Sequence, residues 1–344
     1  MRANPLAGFR VDRDAISYIG HDLQRPECIL AEPDGTLWVA DARGGVMRIA
    51  ADGSQKLITQ KGDSRFAQTR DFETRFTSGT LPNGLAFAAN GDILIANFGT
   101  DLLEVMTRDG LTRTLYDRIE GQPIGKVNFV LRDSKNRLWV TISTKVNPWT
   151  AAARTRVRDG YIALVDARGI RIVADGFHFT NEVRLDAAEE WLYIVETTGP
   201  HISRMRLREE RGEVRLTDRE IFGPADLGGF PDGISFDAFG NLWCTLVMVD
   251  RLVALTPEAE LQVLFDDGNP AASKALLEGF ARGTLTAEQM ASARGTIAPW
   301  MASITFGGAD LRTAYLGSLL GNRIASFLSP VAGLPMVHWS RHHG

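Results

Sequence analysis

At 344 residues the chain is long enough for one large repeat domain or two ordinary ones. Its net charge of −4, and the lack of any run of Lys and Arg, argue against a nucleic-acid or anionic-membrane partner. No N-terminal apolar run or long hydrophobic span is present, so the sequence predicts a soluble, cytoplasmic protein.

In chain order, Met1 to Ala7 reads as a loose end, and Phe9 to Ile19 alternates weakly, as an outer strand would. From Arg25 a strand–turn–strand template begins, RPECILAEPDGTLW. It returns at Leu81 (LPNGLAFAANGDIL), Lys126 (KVNFVLRDSKNRLW), Thr180 (TNEVRLDAAEEWLY) and Phe230 (FPDGISFDAFGNLW), with a weaker sixth copy from Met301. Recurrence every 45 to 70 residues is the signature of a repeat architecture. Two further strands follow each hairpin; in the first unit all four are Cys28–Glu32, Thr36–Asp41, Val46–Ala50 and Gln55–Thr59. The turn pairs Asp34-Gly35, Asn90-Gly91, Lys135-Asn136 and Gly240-Asn241 supply residues that tolerate positive φ. Met336–Trp339 is the expected fourth strand of the last unit.

The prediction is an all-β fold: one six-bladed β-propeller over residues 1–344, with four-stranded blades starting near 27, 83, 128, 181, 232 and 302. A helical insertion is expected at about 270–295, before the last blade. There Leu276, Leu277 and Phe280 have helical spacing, and Thr286 with Gln289 forms a capping box. It either lies over the channel mouth as a lid or packs against the outside. Cys28 and Cys244 fall in inner strands of different blades and read as free buried thiols.

With Asp232 set to zero, a large residue falls eleven places later, at Trp243. Setting Glu27, Asn83, Asn128 and Asn181 to zero puts Trp38, Leu94, Trp139 and Leu192 at that same distance. The zero positions are thus Glu, Asn, Asn, Asn, Asp and finally Ala302. In a propeller blade all of them, together with the long connections Lys61–Thr80, Ser143–Gly160 and Asp266–Trp300, belong at one end of the central channel. Glu27, Asn128, Asn181 and Asp232 would converge there as an all-oxygen cluster of formal charge −2, suited to a hard divalent cation. Ca²⁺ fits best, with Mg²⁺, Mn²⁺ and Zn²⁺ as alternatives. The competing reading has the same groups capping inner strands or binding water.

From about Arg25 to Ser326 the chain resembles the SMP-30/gluconolactonase-like family of calcium-dependent six-bladed propellers, related in fold to paraoxonases and phosphofluoridate hydrolases. Pro231-Asp232-Gly233 with Gly240-Asn241-Leu242-Trp243 looks like the family's metal-Asp blade, and Arg25-Pro26-Glu27 like the blade that supplies its metal Glu. Asn181 falls at the family's main Asn ligand, and Asn128 at an Asn that ligates metal in some relatives and contacts substrate in others. The resemblance implies a metal-dependent hydrolase that opens lactones or esters, with Asp232 doubling as ligand and base or nucleophile. Two departures stand out. Asn128-Phe129-Val130 replaces the usual Asn-Asp-Gly, which puts a sugar lactone in doubt, and Asn181-Glu182 replaces Asn-Gly.

Glu182 is a candidate base, or a partner for Arg184 or Arg204. His201 and His178 are candidate proton shuttles on the mouth side, and Asn83 is assigned to substrate or a metal-bound water. Trp149, with Arg154, Arg156 and Arg158 in the same loop, and Phe98, Phe129 and Phe179 favour a substrate with an apolar or aromatic body. Ordinary packing of a long loop is the alternative. No G-x-S-x-G, H-E-x-x-H, P-loop or Cys-x-x-Cys is present. A lyase or isomerase on the same metal site, and a binding propeller without chemistry, are the competing functions.

Overall fold

The computed structural model describes residues 3–61 and 79–339; the predicted Lys61–Thr80 connection falls largely outside the described residues. Six four-stranded antiparallel sheets form, and their inner strands touch in a closed cycle: Ile29–Ala31, Pro82–Phe87, Val127–Arg132, Thr180–Leu185, Phe230–Phe236 and Met301–Gly307. This is the six-bladed β-propeller that the repeat predicts.

The ring closes through its two ends. Ser17–Ile19 pairs with Ile324–Leu328 and supplies the outer strand of the sixth blade, leaving no open edge at the seam. Met336–Trp339, expected in that place, is not a strand. Nor is the N-terminus all loose: Leu6 is fully buried, and Asn4 exchanges side-chain hydrogen bonds with Asn241 (2.7 and 3.2 Å).

Each hairpin repeats one local solution. The residue eight places after the zero position has positive φ in five blades: Gly35 87°, Gly91 89°, Asn136 62°, Glu189 52° and Gly240 102°. In three blades the indole eleven places on donates to a carboxylate five places on: Trp38 to Glu32 (2.6 Å), Trp139 to Asp133 (3.0 Å) and Trp243 to Asp237 (2.9 Å). Asp237 also accepts the backbone N–H groups of Phe239, Gly240 and Asn241, so one buried carboxylate fixes both the turn and the indole. Asp237→Ala should therefore cost about 2–4 kcal/mol, seen as a fall in the denaturant midpoint with an unchanged slope.

The inner strands carry the feature that builds the site. In blades two to six the ladder with the second strand breaks at the zero position, as a bulge between Pro82 and Leu85, Val127 and Phe129, Thr180 and Val183, Pro231 and Ile234, and Met301 and Ser303. A bulge bends the strand and re-aims one side chain, here into the channel. Gly84 and Gly233 follow two of these residues; a Cβ on them would lie 2.6 Å from the Phe129 Cα and 2.4 Å from the Ser303 Cα. Adjacent inner strands approach that closely only because those side chains are missing.

Helix Pro270–Ala281 packs on the fifth blade, with Phe280 edge-on to Phe230 at 4.9 Å. Beyond it, Met290 and Trp300 reach back to the channel mouth. Among the described residues no helix is long and apolar enough to cross a membrane.

Candidate functional site

All five oxygen-bearing zero positions meet. Glu27, Asn83, Asn128, Asn181 and Asp232 line one cavity at the channel mouth, about 640 Å³ in volume including its open side. Each is nearly inaccessible to solvent. Asn83 Nδ2 faces Glu27 Oε1 (3.1 Å), the Asn128 carbonyl oxygen (3.0 Å) and Asn128 Oδ1 (3.2 Å). Its Oδ1 accepts from Arg25 Nη2 at 2.6 Å. Both ends of that amide are engaged, so Asn83, assigned from the sequence to substrate or a metal-bound water, lines the cavity and braces the ring. Asn181 Nδ2 donates to Thr197 Oγ1 (3.1 Å), which in turn donates to the Pro231 carbonyl (2.8 Å). This turns Asn181 Oδ1 inward.

Two buried oxygens on this ring have no hydrogen-bond partner: Glu27 Oε2 and Asn181 Oδ1. A buried acceptor without a donor is costly, and both acceptors belong to the predicted cation set. Burial first, then the neighbouring Glu182, raises Glu27 to about 8 against the pull of Arg25. Burial, then Glu27 and Glu182, pushes Asp232 well above the usual carboxylate range. Two carboxylates that burial keeps from ionising, beside orphaned oxygens, fit a hard divalent cation that neutralises them. Among the described residues no three His, Cys, Asp or Glu side chains group as a metal site, so a cation here would need the amide oxygens of Asn128 and Asn181 as well. The absence of nitrogen and sulfur donors favours Ca²⁺ or Mg²⁺ over Zn²⁺.

Arg25 is the residue that reading the zero register missed. Its guanidinium lies on the cavity wall near Glu27 and Asp232 and reduces the cluster's formal charge from −2 to −1. It stands two places before a zero position, and so do Phe179 and Trp300. All three have φ of 54°, and all three line the cavity. Met248, from the fifth blade, also lines it, with φ of 69°. The left-handed region costs a bulky residue about 1–2 kcal/mol relative to glycine. It persists where the surroundings dictate it: Asp250 accepts the N–H groups of Gly295, Trp300 and Met301, and the Phe179 carbonyl accepts from Thr197 N–H (3.1 Å).

Other expected residues lie elsewhere. Glu182 does not line the cavity: its Oε2 takes Arg184 (2.9 Å) and the Ile234 N–H (3.1 Å), and burial raises it to about 7. The Arg184 guanidinium lies 4.6 Å from the Phe129 ring centre, and Arg184 also lines an opening at the opposite end of the channel. Phe129 is therefore packed beneath the ring, away from the entrance. His178 and His201 both turn to Glu196, at 3.1 and 3.2 Å, and neither lines the cavity. Glu196 also takes Ser203 and Arg219; hydrogen bonds from His201, Ser203 and the His178 N–H, then the Arg219 charge, hold its carboxyl far below the ordinary range despite burial. The sequence put both histidines at the mouth; a buried carboxylate in the same loop captures them. Trp149 does line the cavity, edge-on to Phe98 at 5.1 Å and tilted against Phe179 at 6.2 Å, whereas Arg154, Arg156 and Arg158 do not.

Comparisons with known proteins agree with this geometry. Among solved structures, a gluconolactonase from Xanthomonas campestris superposes with a TM-score of 0.63 at 17% identity, covering 91% of this chain and 88% of its own. Regucalcin from Agrobacterium tumefaciens, a calcium-binding protein, does so with 0.64 at 14%, covering 93% and 96%. At such identities the likeness establishes the fold. Strictosidine synthase-like 4 of Arabidopsis thaliana is 23% identical over 242 residues, 65% of this chain and 57% of that protein. The chain spans roughly half the length of the curated relatives it matches, 44 to 57%. The family described as the SMP-30/gluconolactonase/LRE-like region matches residues 26–285, three quarters of the chain, and the chain belongs to it.

Proposed function

We propose that this chain is a metal-dependent lactonase or related carboxylic ester hydrolase, with a divalent cation, Ca²⁺ first, held by Glu27, Asn128, Asn181 and Asp232. The observation that carries the proposal is the pair of orphaned oxygens, Glu27 Oε2 and Asn181 Oδ1, on the floor of a cavity that also contains Asp232. The gluconolactonase and calcium-binding neighbours support it.

When bound, such a cation polarises a carbonyl oxygen and lowers the pKa of water. The chain's own residues do the rest. Asn83 and Thr197 hold the ligating side chains in one orientation. Arg25 places positive charge beside the cavity, where an oxyanion developing on the carbonyl oxygen is stabilised. Met290 and Trp300 narrow the entrance and limit solvent. Asp232, once ionised, takes the proton of the attacking water at a carboxylate oxygen and returns it to the leaving alkoxide. Water adds to the carbonyl carbon, the ester C–O bond breaks, and acid and alcohol are released.

A panel of lactones and aryl esters, assayed with and without a chelator, tests this reading. Hydrolysis should fall at least about a hundredfold on chelation and return with Ca²⁺. Turnover indifferent to chelator would exclude the metal role. No hydrolysis of any panel member would leave a lyase, an isomerase or a binding propeller.

A further inference from the structure

We infer that the cavity is built for a ring-shaped apolar or aromatic acyl or alcohol group, and that polyol lactones are poor substrates; this rests on the hydrolase reading above. Above the oxygen ring the walls come from separate parts of the chain and, Arg25 and Thr197 apart, are apolar. Phe98, Trp149 and Phe179 form one side, and Met248, Met290 and Trp300 the other. Arg25 is the one charged side chain on these walls; the other charged lining residues, Glu27 and Asp232, belong to the oxygen ring. A polyol would carry several hydroxyls against walls that return few hydrogen bonds, and a site rejects such groups by leaving them unpaired.

Ordinary core packing would also place apolar residues together, but it does not explain their backbone. Phe179, Met248 and Trp300 all have φ between 54° and 69°, where glycine is free and a large side chain is strained. Three bulky apolar residues held in that conformation, on three different blades and all facing one cavity, mark side chains wanted for what they touch. Two of them, Phe179 and Trp300, share the register of Arg25. The same structural slot thus supplies charge at one point of the rim and flat apolar surface at two others. Trp300 is anchored further by its indole, which donates to the Met290 carbonyl at 3.1 Å.

The experiment compares kcat/KM for a benzo-fused δ-lactone and glucono-δ-lactone in the full chain, in Trp300→Gly and in Trp300→Phe. The benzo-fused lactone should be favoured by about a hundredfold. Trp300→Gly should cut that preference at least about tenfold through KM, and Trp300→Phe should restore most of it. A preference for the polyol, or equal losses on both lactones in Trp300→Gly, would overturn the inference. If neither lactone is hydrolysed, the hydrolase reading fails separately. Calorimetric binding of the ring-opened product, 3-(2-hydroxyphenyl)propanoate, then decides: binding weakened about tenfold in Trp300→Gly supports the apolar cradle, and no binding in the full chain at millimolar concentration refutes it.

Discussion

Asp232→Asn should lower kcat/KM by at least about a thousandfold while leaving the thermal midpoint of the metal-free protein at pH 7 undiminished. The two halves come from one fact. Burial, Glu27 and Glu182 push the Asp232 carboxyl well above its ordinary range. The folded state therefore holds this proton more tightly than the unfolded chain does, and stability falls as pH rises above the ordinary carboxyl range. An amide of the same shape removes that cost along with the catalytic group. Activity retained in Asp232→Asn would take the residue out of the mechanism. A lost midpoint would show the carboxylate to be structural.

Glu27→Gln should weaken divalent-cation affinity at least about a hundredfold and lower the number of protons released on uptake, Asp232 still releasing its own. Glu27, raised to about 8, is largely protonated at pH 7 in the metal-free chain, so cation uptake must displace that proton. Affinity should rise with pH up to about 8, by at least about tenfold per unit below it, since Asp232 is raised as well. Calorimetry in buffers of different ionisation enthalpy measures the proton released. Uptake without proton release would mean that Arg25, two residues away, already keeps this carboxylate ionised.

The ring of oxygens was legible because it depends on counting. A strand period of two, a turn of fixed length and an indole eleven places on put the same side chain at the same end of every blade. The interaction behind that register, the indole donating to Glu32, Asp133 or Asp237, was equally present in the sequence at five and eleven places. The cavity walls were harder to read. Phe179 and Trp300 take left-handed backbone conformations with no glycine to announce them, and only Asp250 and the 196–201 loop explain how they are held there. Met290 comes from an insertion outside the repeat, so no register placed it. His178 and His201 lie at the end of the blade that the sequence gives them, turned to Glu196 and not into the cavity. Position along a strand says nothing about a carboxylate such as Glu196 nearby, which attracts both.

The most direct test of the account is a calorimetric titration of chelator-cleared protein with Ca²⁺, run beside Glu27→Gln and Asp232→Asn. A single saturable site is expected in the natural sequence, with affinity at least about a hundredfold weaker in either variant. A chain that takes up no divalent cation at millimolar concentration, or that binds it equally well in both variants, would contradict it.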